Sequence, residues 1–125
     1  MLVTEMFSAA VLDHFENPRN AGTLAHATAR VEATNPVCGD VLQLAARIEN
    51  GRIAEVRFLC RGCTTSIACA SLLTEKLQGA LLEDARCVTA ELLSGELGVL
   101  PAATFHGAQL AMDALYALLQ QARRR

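Results

Sequence analysis

Apolar side chains recur at two different periods along the chain, and the change of period marks out its elements. Phe7, Val11 and Phe15 fall at four-residue spacing. That spacing predicts a helix from Thr4, an N-cap candidate, to Glu16, stopped by Asn17-Pro18. A loop holding Gly22 follows, then a short strand over Arg30–Thr34. The period then becomes two. Leu42, Leu44, Ala46 and Ile48 alternate along one strand, and Ala54, Val56, Phe58 and Cys60 along the next, with Asn50-Gly51 between them. Asn-Gly between alternating segments is a strong hairpin signal. The helical period returns in Ile67, Ala70, Leu73 and Leu77, capped by Thr64 or Thr65 and ended by Gly79. Residues 81–97 predict one or two short helices. Pro101 precedes a last, long helix with Phe105, Ala108, Met112, Leu115 and Leu119 on one stripe. This order is that of an α+β fold: a small three-stranded antiparallel sheet with helices packed on one face and a long C-terminal helix.

The pairing in the hairpin follows from the pattern. A two-residue Asn50-Gly51 loop would set Leu44 opposite Arg57 and mix the two faces of the sheet. A three-residue loop sets Leu44 opposite Val56 or Phe58 and gathers the apolar residues on one side. The loop Glu49-Asn50-Gly51, with Gly51 left-handed, selects Val56. In every register Cys38 lies opposite position 62, 63 or 64, so Cys38 and Cys63 become neighbours at the open end of the ribbon. Opposed Cβ atoms are about 4.5–5.5 Å apart there. Two sulfurs at about 2.3 Å from one metal fit that spacing. Pro36 keeps Asn35 extended and Gly39 permits a tight bend; in a regular strand Asp40 shares a face with Cys38 and can add an oxygen. Cys63 follows Gly62 at the start of a helix, where N–H groups and the dipole favour a thiolate.

Composition narrows the function classes. The 125 residues are 52% hydrophobic but only 4% aromatic, with no Trp. One domain over residues 1–125 with an aliphatic core is expected. The net charge of −2 argues against a nucleic-acid footprint, which needs a basic face. No apolar run reaches a membrane span, and Met1-Leu2-Val3 followed by Glu5 is no secretory signal. The expected location is the cytoplasm, where five cysteines are thiols or metal ligands before they are disulfides. Cys60 and Cys63 form Cys-x-x-Cys, but alternation sends Cys60 to the core side and no βαβ unit surrounds the pair. Cys69 and Cys87 are read as core or surface thiols. His14 and His26 are read as surface or loop residues.

Asp13-His14-Phe15-Glu16-Asn17-Pro18-Arg19-Asn20, Asn35-Pro36-Val37-Cys38-Gly39-Asp40, and Phe58 through Glu75 with Gly62-Cys63 and Ser66-Ile67-Ala68, stand in this order along the chain. In these three motifs the sequence resembles the IscU/NifU-type iron–sulfur cluster assembly scaffolds over nearly its whole length. The resemblance implies a metal or cluster site of three cysteines and an aspartate with an adjoining histidine. Cys38, Asp40 and Cys63 match, and His106-Gly107 stands where the family has His-Cys. The histidine is present and the third cysteine is not. The family's chaperone-recognition segment is matched only at Leu100-Pro101, not at Ala102-Ala103-Thr104. The resemblance implies a scaffold and no turnover enzyme. Such a scaffold takes sulfur from a cysteine desulfurase and iron from a donor, holds a transient [2Fe–2S] cluster, and passes it to apo-protein acceptors. The same four side chains suit zinc, so a zinc-binding structural or interaction module that assembles no clusters is the alternative. A sulfur carrier using Cys63 as a persulfide is a third reading.

Overall fold

Asn50 and Gly51 both take left-handed backbone conformations, with φ of 54° and 75°. Two successive left-handed residues form the hairpin turn whose twist matches right-twisted strands. In the computed structural model, which describes residues 7–123, this turn joins β2 (Val41–Glu49) to β3 (Arg52–Arg61). Glu49 pairs with Arg52 across a two-residue loop, and Leu44 pairs with Phe58. The expected three-residue loop with Leu44 opposite Val56 is therefore incorrect. The pairing shifts between Arg47 and Ile48, where Ile48 meets Ile53 but Arg47 meets Glu55. Ala54 is the extra residue of this β-bulge, and it sits only half-buried while Ile53 is fully buried. The bulge lets the tight Asn-Gly turn coexist with a register that keeps the apolar residues on one face.

β1 (Ala29–Thr34) pairs antiparallel with β2, giving the order β1-β2-β3. Each edge of the sheet is covered at one point. Beside β3, the Gly22 N–H donates to the Phe58 carbonyl and the Phe58 N–H to the Asn20 carbonyl. Beside β1, the Gln121 side-chain amide binds both the N–H and the carbonyl of Arg30.

Helices cover one face, as expected. α1 (Ala9–Glu16) starts at Ser8, whose hydroxyl accepts the Val11 N–H at 3.0 Å. The Thr4 cap lies outside the described residues. Only Val11 and His14 of α1 are buried, and Phe15 is 39% exposed. α2 (Thr64–Leu77) has Cys63 at its N-cap, α3 (Leu82–Ala85) and α4 (Ala90–Glu96) are short, and α5 (His106–Arg123) follows a 3₁₀ turn over Ala102–Thr104. α2 and α5 lie across the sheet, and α1 packs on α2. Leu42, Leu44, Ile53 and Val56 meet Leu73, Leu77, Leu110, Leu115 and Leu118 in one aliphatic core. Phe58 is the one fully buried aromatic residue there. No helix among the described residues is long and apolar enough to cross a membrane.

Candidate metal centre

The first motif folds as a loop, not as the strand extension expected for Cys38 and Asp40. The Asn35 carboxamide oxygen accepts the N–H groups of Val37 and Cys38, at 2.9 and 3.3 Å. The Asn35 backbone closes the loop by accepting from Gly39 and donating to the Asp40 carbonyl, each at 2.8 Å. Gly39 has φ of 78°, a conformation that glycine adopts without strain. The loop leaves Val37 and Cys38 exposed at its tip and turns Asp40 inward, where it is 9% exposed.

Asp40 reaches the start of α2. Its Oδ2 accepts the Ser66 hydroxyl at 2.7 Å and the Cys63 N–H at 3.3 Å. Cys63 makes no side-chain cap of its own, so a carboxylate distant in sequence caps this helix and complements its dipole. The approach requires glycine at position 62. A Cβ there would stand 2.8 Å from the Asp40 Cγ and 2.9 Å from its Oδ2. Burial by itself would raise the Asp40 pKa. The bonds from Ser66, the Cys63 N–H and the thiols of Cys38 and Cys63 outweigh it, and the carboxyl titrates below its usual range.

His106 arrives from the other side as the first residue of α5. Its Nε2 lies 3.7 Å from the Cys63 sulfur and 3.9 Å from Asp40 Oδ2. Donor atoms of Cys38, Asp40 and His106 all fall within 4.8 Å of one another. The Cys63 sulfur joins this trio through His106 and stands 3.4 Å from the Ser66 hydroxyl. Three of the four side chains marked in the sequence, Cys38, Asp40 and His106, therefore group together, and Cys63 adjoins them through His106.

Gly107 is buried, and its missing side chain has a packing reason. A Cβ there would be 3.2 Å from Ser66 Cα, Ser66 N and Thr65 C. Glycine lets α5 close on the first turn of α2.

Ser66 received no role from the sequence, yet it bonds both Asp40 and Cys63. Its place three residues after the cap, where capping boxes carry their reaching side chain, was the available signal. His14 corrects the surface reading. It is 7% exposed, and its Nδ1 meets the Ser71 hydroxyl at 2.8 Å, with Glu75 at 3.8 Å from Nε2. Burial and the nearby Arg19 lower its pKa, against the pull of Glu75 and Asp13. Burial pushes the Cys60 thiol up to about 11 and the Cys69 thiol up to about 12. At neutral pH both are therefore held as thiols. His26 is exposed and left-handed, and Cys87 is exposed.

The family described as the NifU-like N terminal domain matches residues 6–125. An iron-sulfur cluster assembly scaffold protein IscU 1 of Archaeoglobus fulgidus is 38% identical over 110 residues, covering 88% of this chain and 72% of that relative. An iron-sulfur cluster assembly scaffold protein IscU of Azotobacter vinelandii is 38% identical, covering 91% of each chain. The crystal structure of a nitrogen-fixing NifU-like protein (N-terminal) from Brucella abortus has the same fold. Its TM-score is 0.79 at 16% identity, with 98% of each chain covered.

Proposed function

The chain belongs to the NifU-like N-terminal domain family, and from that membership and the grouping of Cys38, Asp40 and His106 beside Cys63 we propose that it is an iron–sulfur cluster assembly scaffold. The observation that carries the reading is the meeting of Cys38, Asp40 and His106 within 4.8 Å, with the Cys63 sulfur 3.7 Å from His106. Relatives at 38% identity are named as such scaffolds. The cargo is iron or a [2Fe–2S] cluster. Cys38 and Cys63 supply thiolates, and His106 a nitrogen that can replace sulfur at a cluster iron. Asp40 supplies an oxygen, a poorer partner for a sulfide-bridged iron than thiolate. That weakness favours release to an acceptor apo-protein. Sulfur comes from a cysteine desulfurase and iron from a separate donor. The protein works by holding and releasing cargo, not by turnover. All five cysteines are free, which suits the reducing cytoplasm.

One observation favours a second reading. The donor atoms of Cys38, Asp40 and His106, within 4.8 Å of one another, fit a single ion, and with the Cys63 sulfur 3.7 Å from His106 as a fourth donor they would make a tetrahedral zinc set. On this reading the protein is a zinc-binding interaction module. Anaerobic reconstitution with iron, sulfide and a desulfurase separates the two. Visible charge-transfer absorption that decays as an apo-acceptor gains a cluster supports the scaffold. Firmly held zinc with no cluster formation defeats it.

A further inference from the structure

Helix α5 carries a wider apolar stripe than the core accepts. Ala108, Ala111, Ala114, Leu115 and Leu118 are fully buried. Met112 and Leu119 remain half-exposed, and Tyr116 is 66% exposed. Together with Val88, from the turn between α3 and α4, they line a groove of about 260 Å³ whose polar lining comes from Gln120, Arg86 and Arg123. No carboxylate lines this groove, and neither arginine is in an ion pair among the described residues.

We propose that this groove docks an acidic amphipathic helix of a partner protein. Charge selects the occupant. Two unpaired guanidiniums in a chain of net charge −2 form a local basic site, and a helix with Glu or Asp flanking an apolar stripe complements it. Length agrees as well. From Met112 to Arg123 the groove runs about 16 Å at 1.5 Å per residue, which is about three helical turns. Tyr, Met and Arg are the side chains that interface cores favour, and Met adapts its shape to a partner. A second copy of this chain fits badly, because a two-fold axis through the groove would set arginine against arginine. His106 lies at the opposite end of α5, so docking leaves the metal centre open.

Tyr116 is the sole tyrosine and the chain has no tryptophan, so intrinsic fluorescence reports on this groove alone. The probe is a synthetic helical peptide with a leucine stripe flanked by glutamates and free of aromatic residues. Its control carries lysine for glutamate. The acidic peptide should change Tyr116 emission saturably, weaken with added salt, and shift the NMR signals of Met112 and Leu119. The lysine peptide should not. Arg86→Glu with Arg123→Glu, its fold checked by circular dichroism, should bind the acidic peptide at least tenfold more weakly and gain affinity for the lysine peptide. Equal responses to both peptides, or no saturable response, would overturn the proposal. A concentration-dependent dimer that buries Tyr116 would overturn it in favour of self-association.

Discussion

Gly62→Ala should act on the candidate metal centre through a contact with Asp40, and the size of that effect follows from the distances. The added methyl would stand 2.8 Å from Asp40 Cγ, 2.9 Å from Oδ2 and 3.1 Å from Cβ. Position 62 carries no left-handed φ, so the backbone accepts alanine and the clash is wholly with the aspartate. Overpacking of this kind costs about 1–3 kcal/mol. The loss of glycine's freedom in the unfolded chain returns about 0.4–1 kcal/mol. The net destabilisation is about 1–2 kcal/mol, or about 4–8 °C in Tm for a domain near this size. The decisive assay is a double-mutant cycle. In an Asp40→Ala background the Cγ and Oδ2 contacts are gone, so Gly62→Ala should be neutral or mildly stabilising. The coupling measured by chemical denaturation should therefore be at least about 1 kcal/mol. Zinc affinity should fall with Gly62→Ala in the Asp40 protein and change little once Asp40 is absent. Equal effects of Gly62→Ala in both backgrounds would refute the account of why glycine stands there.

Alanine at position 107, inside a helix, would ordinarily stabilise by up to about 1 kcal/mol. Contacts at 3.2 Å with the α2 backbone should cancel that gain, and a rise in Tm for Gly107→Ala would show that α5 is not held close by this residue. Ser66→Ala removes the hydroxyl that bonds Asp40 and Cys63, and should weaken zinc binding about tenfold in a competition titration. His14 has a folded pKa below its ordinary 6.5, so the unfolded chain takes up the proton first. Its contribution to stability is complete above about pH 6.5 and is lost as pH falls through that value towards the folded pKa. Denaturation midpoints at pH 7.5 and 5.5 should show that slope in the native protein and a shallower one in His14→Gln.

Much of the fold was legible because it rests on short-range signals. The two-residue period of β2 and β3, the Asn-Gly turn and the order of helices act within a few positions of one another. The register was read incorrectly because two local rules conflicted. The tight turn demanded one pairing and the apolar pattern another. A bulge at Ala54 satisfied both, and no periodicity marks where an extra residue goes. Phe15 and His14 exchanged their expected burial for a related reason. A helix of only eight residues does not specify its orientation on a neighbour, and the Ser71 hydroxyl, far along the chain, drew His14 inward.

The sequence by itself determined the α+β order, the turn chemistry and the motifs that carry the candidate ligands, since each depends on side chains adjacent in the chain. The tertiary structure alone decided that Asp40 caps α2, that Ser66 bridges Asp40 and Cys63, and that His106 stands beside both. These contacts depend on how α2 and α5 settle across the sheet. That placement comes from packing the whole core, in which no single stretch of residues holds the deciding share.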